Sequence, residues 1–196
     1  MDKIELIQDL ETLRNLCGDH HPHTPYKVQS QLTEQGQDFI RRSPFMLLTS
    51  INQAGEPSIS PKGGQRGFVG VGDAKTLYLP DMRGNNLIFS LQNILLNPNV
   101  GMLFMMPGTC ETLRVHGQAT ITADEDLCRQ YAIGNKPARL VTIVEVTSAY
   151  FHCSLSLNKG RIWEPESWEE RFKVNFISEI VPNLPPELRK KSSQTN

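Results

Sequence analysis

Apolar residues recur at helical spacing in only a few stretches of this chain, and most of the remaining pattern is strand-sized. Near the start, Ile4, Ile7, Leu10 and Leu13 repeat every three residues, which predicts a helix over Ile4–Leu16 stopped by Gly18. GDHHPHTPYK follows as a loop with two prolines. A second helix is predicted from Val28 to Arg42, ending at Ser43-Pro44 because proline disfavours helix in the residue before it. Residues 1–42 therefore read as a helical lead-in.

The pattern then changes. PFMLLTSI is a short apolar run bounded by Asn52 and Gly55, and PSISPK follows the turn, which is a hairpin signature. GFVGV and TLYLP are separated by Gly72-Asp73. In LIFSLQNILLN, Leu87, Leu91, Ile94 and Leu95 return to helical spacing and stop at Asn97-Pro98. VGMLFMM and LRVHGQATIT read as strands joined at Pro107-Gly108. DEDLCRQYAI reads as a short helix with Asp124 as N-cap, and LVTIVEVTSAYFHC as the last strong strand. Many short strands with tight turns and isolated helices predict a mostly β protein with peripheral helices, an antiparallel barrel rather than a doubly wound sheet. The barrel is expected over residues 43–165. Beyond it, residues 166–196 are charged and proline-rich and read as a partly ordered tail.

Composition narrows the function. With 196 residues and a formal net charge of −1, the chain carries no basic block, which argues against nucleic acid or a membrane surface as partner. The N-terminus mixes acidic and apolar residues, unlike a signal peptide, and no apolar run is long enough for a membrane span. The four cysteines, Cys17, Cys110, Cys128 and Cys153, form no CxxC pair, so they read as reduced thiols of a cytoplasmic protein.

The chemistry concentrates between Ser58 and Phe104. Lys62, Arg66 and Arg83 stand among glycine-rich turns, and Asn85 and Asn86 lie just before a predicted helix. A helix start offers free N–H groups to a phosphate, Arg83 a planar fork and Lys62 a point charge. The same residues also fit ordinary turn glycines and solvated charges. Neither GxGxxG nor GxxxxGK[ST] occurs. His20, His21 and His23 near Cys17 lack structural metal-site spacing, and no metal is expected there. Met102, Met105 and Met106 read as core filler.

The order SPFMLLTSINQAGEPSISPKGG, YLPDMRGNNLIFSLQNILLNPNVGMLFMMPG, ETLRVHGQATIT and a later FHC…W closely resembles the FMN-binding pyridoxamine 5′-phosphate oxidase-like family, over roughly residues 40–165. The resemblance implies an FMN-binding split β-barrel of antiparallel Greek-key type. It further implies a homodimer with FMN at the subunit interface, and a small-molecule electron donor or substrate. By position it implies flavin contacts from Ser60 and Lys62, and phosphate contacts from Arg83, Asn85 and Asn86. Glu111, Thr112 and Arg114 are implied as contacts from the second subunit, with Trp163 as a pocket wall or dimer contact.

The chain departs from true pyridoxamine-phosphate oxidases. Pro57 stands near the place of an arginine, RGNN replaces a Ser-Arg-Lys triplet, and the C-terminal substrate-phosphate pattern is not evident. The resemblance therefore implies a flavin-dependent oxidoreductase without implying vitamin B6 oxidation. A non-catalytic flavin binder, or a deazaflavin or haem ligand on the same barrel, are the alternatives. His152 and Cys153 are adjacent on a predicted strand and so point to opposite faces, which makes a paired nucleophile unexpected.

Overall fold

The computed structural model describes residues 4–82, 84, 86–132 and 134–192. Among them, seven antiparallel strands form one sheet in the order β2-β1-β5-β6-β7-β4-β3. Their ranges are β1 Phe45–Ile51, β2 Pro57–Gly63, β3 Gly70–Val71, β4 Thr76–Asp81, β5 Asn99–Met105, β6 Glu111–Thr122 and β7 Leu140–Cys153. The predicted hairpin is β1–β2, with Leu48 opposite Ser60 and Met46 opposite Lys62.

Alternation sets the core. On β1, Met46, Leu48 and Ser50 point inward, and on β5, Val100, Met102 and Phe104 do the same. They meet Leu77 and Leu79 of β4, Leu113 and Val115 of β6, and Val144 and Val146 of β7 in one continuous cluster. Met102 is buried in it and Met106 packs against it, as filler. On β7 the inward set changes parity after Val146. His116 pairs with Ser148 while Gly117 pairs with Val146, leaving Thr147 as an extra residue. A bulge of this kind moves the following side chains to the other face, and it brings Ala149 and Phe151 to the core.

The helices lie around this sheet. They are α1 Leu10–Cys17, α2 Glu34–Arg42, α3 Phe89–Leu96, α4 Glu125–Gln130 and α5 Leu155–Lys159. α4 begins at the expected cap, with Leu127 N–H donating to Asp124 Oδ1 at 2.9 Å. Two helices are shorter than the apolar spacing predicts. α1 starts only at Leu10, because Asp9 accepts from Thr12 N–H and caps it there. α2 starts at Glu34 rather than Val28. Gln29 is drawn into a β-bridge with Ala149, Leu32 N–H donates to Ala74, and Thr33 then caps the helix through Gly36 N–H. Tertiary pairing has overridden helical periodicity.

α3 corrects a different expectation. Its buried residues are Ser90, Asn93 and Ile94, and Asn93 Nδ2 donates to the buried Ser50 Oγ at 3.0 Å. Of the apolar set that predicted the helix, Ile94 is buried, while Leu87 and Leu95 are exposed. The helix turns a polar edge to the sheet and much of its apolar surface outward.

The chain divides into two compact units, Met1–Trp163 and Glu164–Asn196. The second consists of 3₁₀ turns at Pro165–Ser167 and Val181–Asn183 with short helices α6 Phe176–Ile180 and α7 Pro186–Ser192. No helix among the described residues is long and apolar enough to cross a membrane.

Candidate functional site

β2 is an edge strand, so the unpaired side of its backbone tolerates Pro57 and Pro61. Its period-2 alternation leaves Ser58, Ser60 and Lys62 half-buried on one face and the intervening residues exposed. Four strands stand between β2 and β4 in the sheet. Yet β2 and Asp81 at the end of β4 line one cleft, so the sheet is rolled and its ends converge. The cleft holds about 370 Å³ and is completed by Gly84, Asn86, the segment Leu87–Leu91 and Arg139.

Of the residues singled out in the sequence, Ser60, Lys62 and Asn86 come together here. Arg83 and Asn85 lie outside the described residues. Asn86 has φ 59°, a left-handed conformation that asparagine tolerates better than most residues. Its Oδ1 accepts from Arg139 Nη1 at 3.0 Å.

Arg139 is the functional candidate that sequence reasoning missed. Its Nη2 donates to Asp81 Oδ2 at 2.7 Å, and its backbone N–H donates to the Asp81 carbonyl. Its Nε is buried and has no hydrogen-bond partner among the described residues. A buried guanidinium N–H without an acceptor is costly; the part of the side chain that remains exposed lines the cleft and turns its positive charge toward it. Nothing local marks Arg139 in the sequence, because its side-chain partners lie 53 and 58 residues away.

A second donor set lies beside it. The first turn of α3 lines the cleft, and its N-cap, Ile88, offers no side-chain hydrogen bond. Phe89 N–H donates to the Leu87 carbonyl, and the helix start turns the positive end of its dipole toward the cleft. Lys62 adds a cation, Ser58 and Ser60 add hydroxyls, and Ile59, Met82, Leu87 and Phe89 supply apolar walls. The combination suits a ligand with an anionic end and an apolar, planar body.

The remaining predicted residues lie elsewhere, on β6 and its surroundings. Thr112 is buried, and its hydroxyl donates to the His152 carbonyl at 3.2 Å and lies 3.1 Å from Ser154 Oγ. Glu111 accepts from Cys110 Sγ at 3.5 Å. That carboxylate pushes the Cys110 thiol pKa up, with burial and neighbouring Cys153 adding to the effect. Arg114 lies over the Tyr150 ring, 5.8 Å from its centroid. Beside them, His116 Nδ1 is 3.1 Å from Ser148 Oγ. Trp163 Nε1 donates to the Thr109 carbonyl at 3.1 Å. These side chains do not line the cleft of their own chain.

Comparison with known proteins supplies the family. Residues 32–153 match the family model described as pyridoxamine 5′-phosphate oxidase. Among solved structures, HupZ of Group A Streptococcus is similar at 21% identity, covering 63% of this chain and 95% of that one, with a TM-score of 0.50. A candidate pyridoxamine 5′-phosphate oxidase from Lactobacillus delbrueckii is similar at 20% identity, covering 62% and 95%, also with a TM-score of 0.50. No curated protein matches the chain. At these identities the solved structures establish the split-barrel fold, and the matched model spans more than half of the sequence. The chain belongs to the pyridoxamine 5′-phosphate oxidase family.

Proposed function

We propose that this protein binds FMN in the cleft between β2 and α3 and acts as a flavin-dependent oxidoreductase on a small-molecule donor or substrate. The observation that carries the reading is Arg139, a cleft-lining guanidinium held by Asp81 and Asn86 beside the start of α3 and Lys62. In this reading Arg139 and the positive end of the α3 dipole hold the phosphate. Arg83 and Asn85, adjacent in sequence to Gly84 and Asn86 at the rim, are proposed to add to that grip. Lys62 and Ser60 face the ring system or ribityl chain from β2. Met82 and Ile59 exclude water from its apolar face. Bound FMN supplies the electron or hydride transfer, while the protein fixes orientation and electrostatics.

A homodimer belongs to the same proposal. Leu87, Phe89, Leu95 and Leu96 are exposed around α3, and Ile59 is exposed on β2, an apolar surface suited to a second copy. Arg114 and Trp163 of the partner subunit would then face the flavin. Free thiols at all four cysteines agree with a cytoplasmic setting.

The test is titration of the purified protein with FMN, followed by assay with reduced nicotinamide and an electron acceptor. Quenching of flavin fluorescence to one FMN per chain is expected, followed by steady turnover. Absence of quenching would remove the flavin reading. Quenching without turnover over a range of donors would leave a flavin binder and remove the enzyme.

A further inference from the structure

The start of β6 and the end of β7 bring together a group of side chains that the flavin cleft does not use. Glu111 is the register partner of Cys153, and Cys110 precedes Glu111. The Cys110 Sγ, Cys153 Sγ and one Glu111 carboxylate oxygen all lie within 4.8 Å of one another. Backbone contacts fix this corner: Ser154 N–H donates to the Cys110 carbonyl at 2.9 Å, and Trp163 Nε1 holds the neighbouring Thr109 carbonyl.

From this geometry we infer that Cys110, Glu111 and Cys153 form a site for a thiophilic divalent cation of the zinc class. Zinc sits about 2.3 Å from thiolate sulfur and about 2.1 Å from carboxylate oxygen, which across a tetrahedral angle places sulfur and oxygen about 3.6 Å apart. Cys110 Sγ and Glu111 Oε1 are already 3.5 Å apart. Two sulfurs on one tetrahedral zinc are about 3.8 Å apart, and the Cys110 and Cys153 sulfurs lie within 4.8 Å of each other. Two thiolates with a carboxylate select a borderline-soft ion over magnesium or calcium, which take oxygen ligands.

Cys153 and Glu111 are exposed, so the fourth corner of the tetrahedron opens to water or a small thiol. Binding releases the two thiol protons to solvent as the sulfurs become ligands. The ion would tie the first residue of β6 to the last of β7, where the chain leaves the barrel for α5. The inference does not rest on the flavin reading.

The experiment uses full-length protein, reduced and freed of metal with chelator, titrated with Co²⁺. The expected result is one Co²⁺ per chain, an intense near-ultraviolet sulfur-to-cobalt band, and loss of that band when Zn²⁺ is added. Cys110→Ser and Cys153→Ser should each remove most of the band, while Cys17→Ser keeps it. A second measurement needs no variant: Zn²⁺ should protect Cys110 and Cys153, but not the exposed Cys17, from alkylation read by mass spectrometry, and chelator should reverse it. A wild type without the band overturns the site. So does a band that survives in both serine variants but is lost in Cys17→Ser, or alkylation of Cys110 and Cys153 at rates unaffected by Zn²⁺.

Discussion

Arg139 brings several N–H donors into the cleft, and its own chain takes up only some of them. Asp81 and Asn86 accept from the two Nη atoms, while the buried Nε has no acceptor among the described residues. If the exposed part of the guanidinium meets a phosphate oxygen of FMN, Arg139→Ala should weaken FMN roughly ten- to a hundred-fold, equivalent to about 1.5–3 kcal/mol for hydrogen bonds to a charged group. Arg139→Lys keeps the charge but loses the planar fork, so its affinity should fall between the two. Fluorescence titration measures all three proteins, and equal affinities would show that the guanidinium does not touch the flavin. This residue also marks where sequence reading stops. Lys62 was legible as a cation among glycine-rich turns and Ser60 through the family resemblance, and the structure puts both on one face of β2. Asn86 was legible because it stands before a helix. Arg139 is a single cation ahead of an apolar strand, and only the rolled sheet brings it to Asn86.

At the scale of elements, the strands and the start of α4 were readable, while the starts of α1 and α2 were not. Strand limits follow from runs of apolar residues and from turn residues such as Gly55, whose φ is 82°. Helix starts depend on what competes for the backbone. Val28–Gln31 was expected as the first turn of a helix, but the bridge from Gln29 to Ala149 draws the segment to the sheet. The bulge opposite Gly117 was equally hidden, because a single glycine in LRVHGQATIT signals close approach without naming the neighbour. A Cβ on Gly117 would collide with the Glu145 carbonyl oxygen and Val144 Cγ1. Backbone cannot move aside as a flexible side chain can. Gly117→Ala should therefore lower stability by about 1–3 kcal/mol, read as a fall in Tm of roughly 2–4 °C per kcal/mol. Gly101→Ala, on neighbouring β5, meets only ordinary contacts at 3.7 Å and should change Tm little. If the two variants melt alike, the bulge does not depend on the missing side chain.

At the scale of the molecule, α3 connects fold to assembly. The helix buries Ser90, Asn93 and Ile94 while exposing Leu95 and Leu96 at 75% and 62%, and the proposed second copy would cover that exposed edge. The α3 start lines the cleft, so an interface built on this helix would close the cleft at the same time. The outer face of β6 and β7, with Arg114 over Tyr150 and His116 beside Ser148, offers the polar surface a second copy would bring to the flavin. Sedimentation should accordingly give twice the chain mass for the wild type. The double substitution Leu95→Glu and Leu96→Glu should give a monomer, because it would bury two charges per copy in an apolar contact. Both positions are exposed within the chain, so circular dichroism should stay unchanged while FMN affinity falls with the loss of the second copy. A wild-type monomer that still binds FMN would break the link between assembly and cofactor. A dimer that survives both glutamates would move the interface off α3.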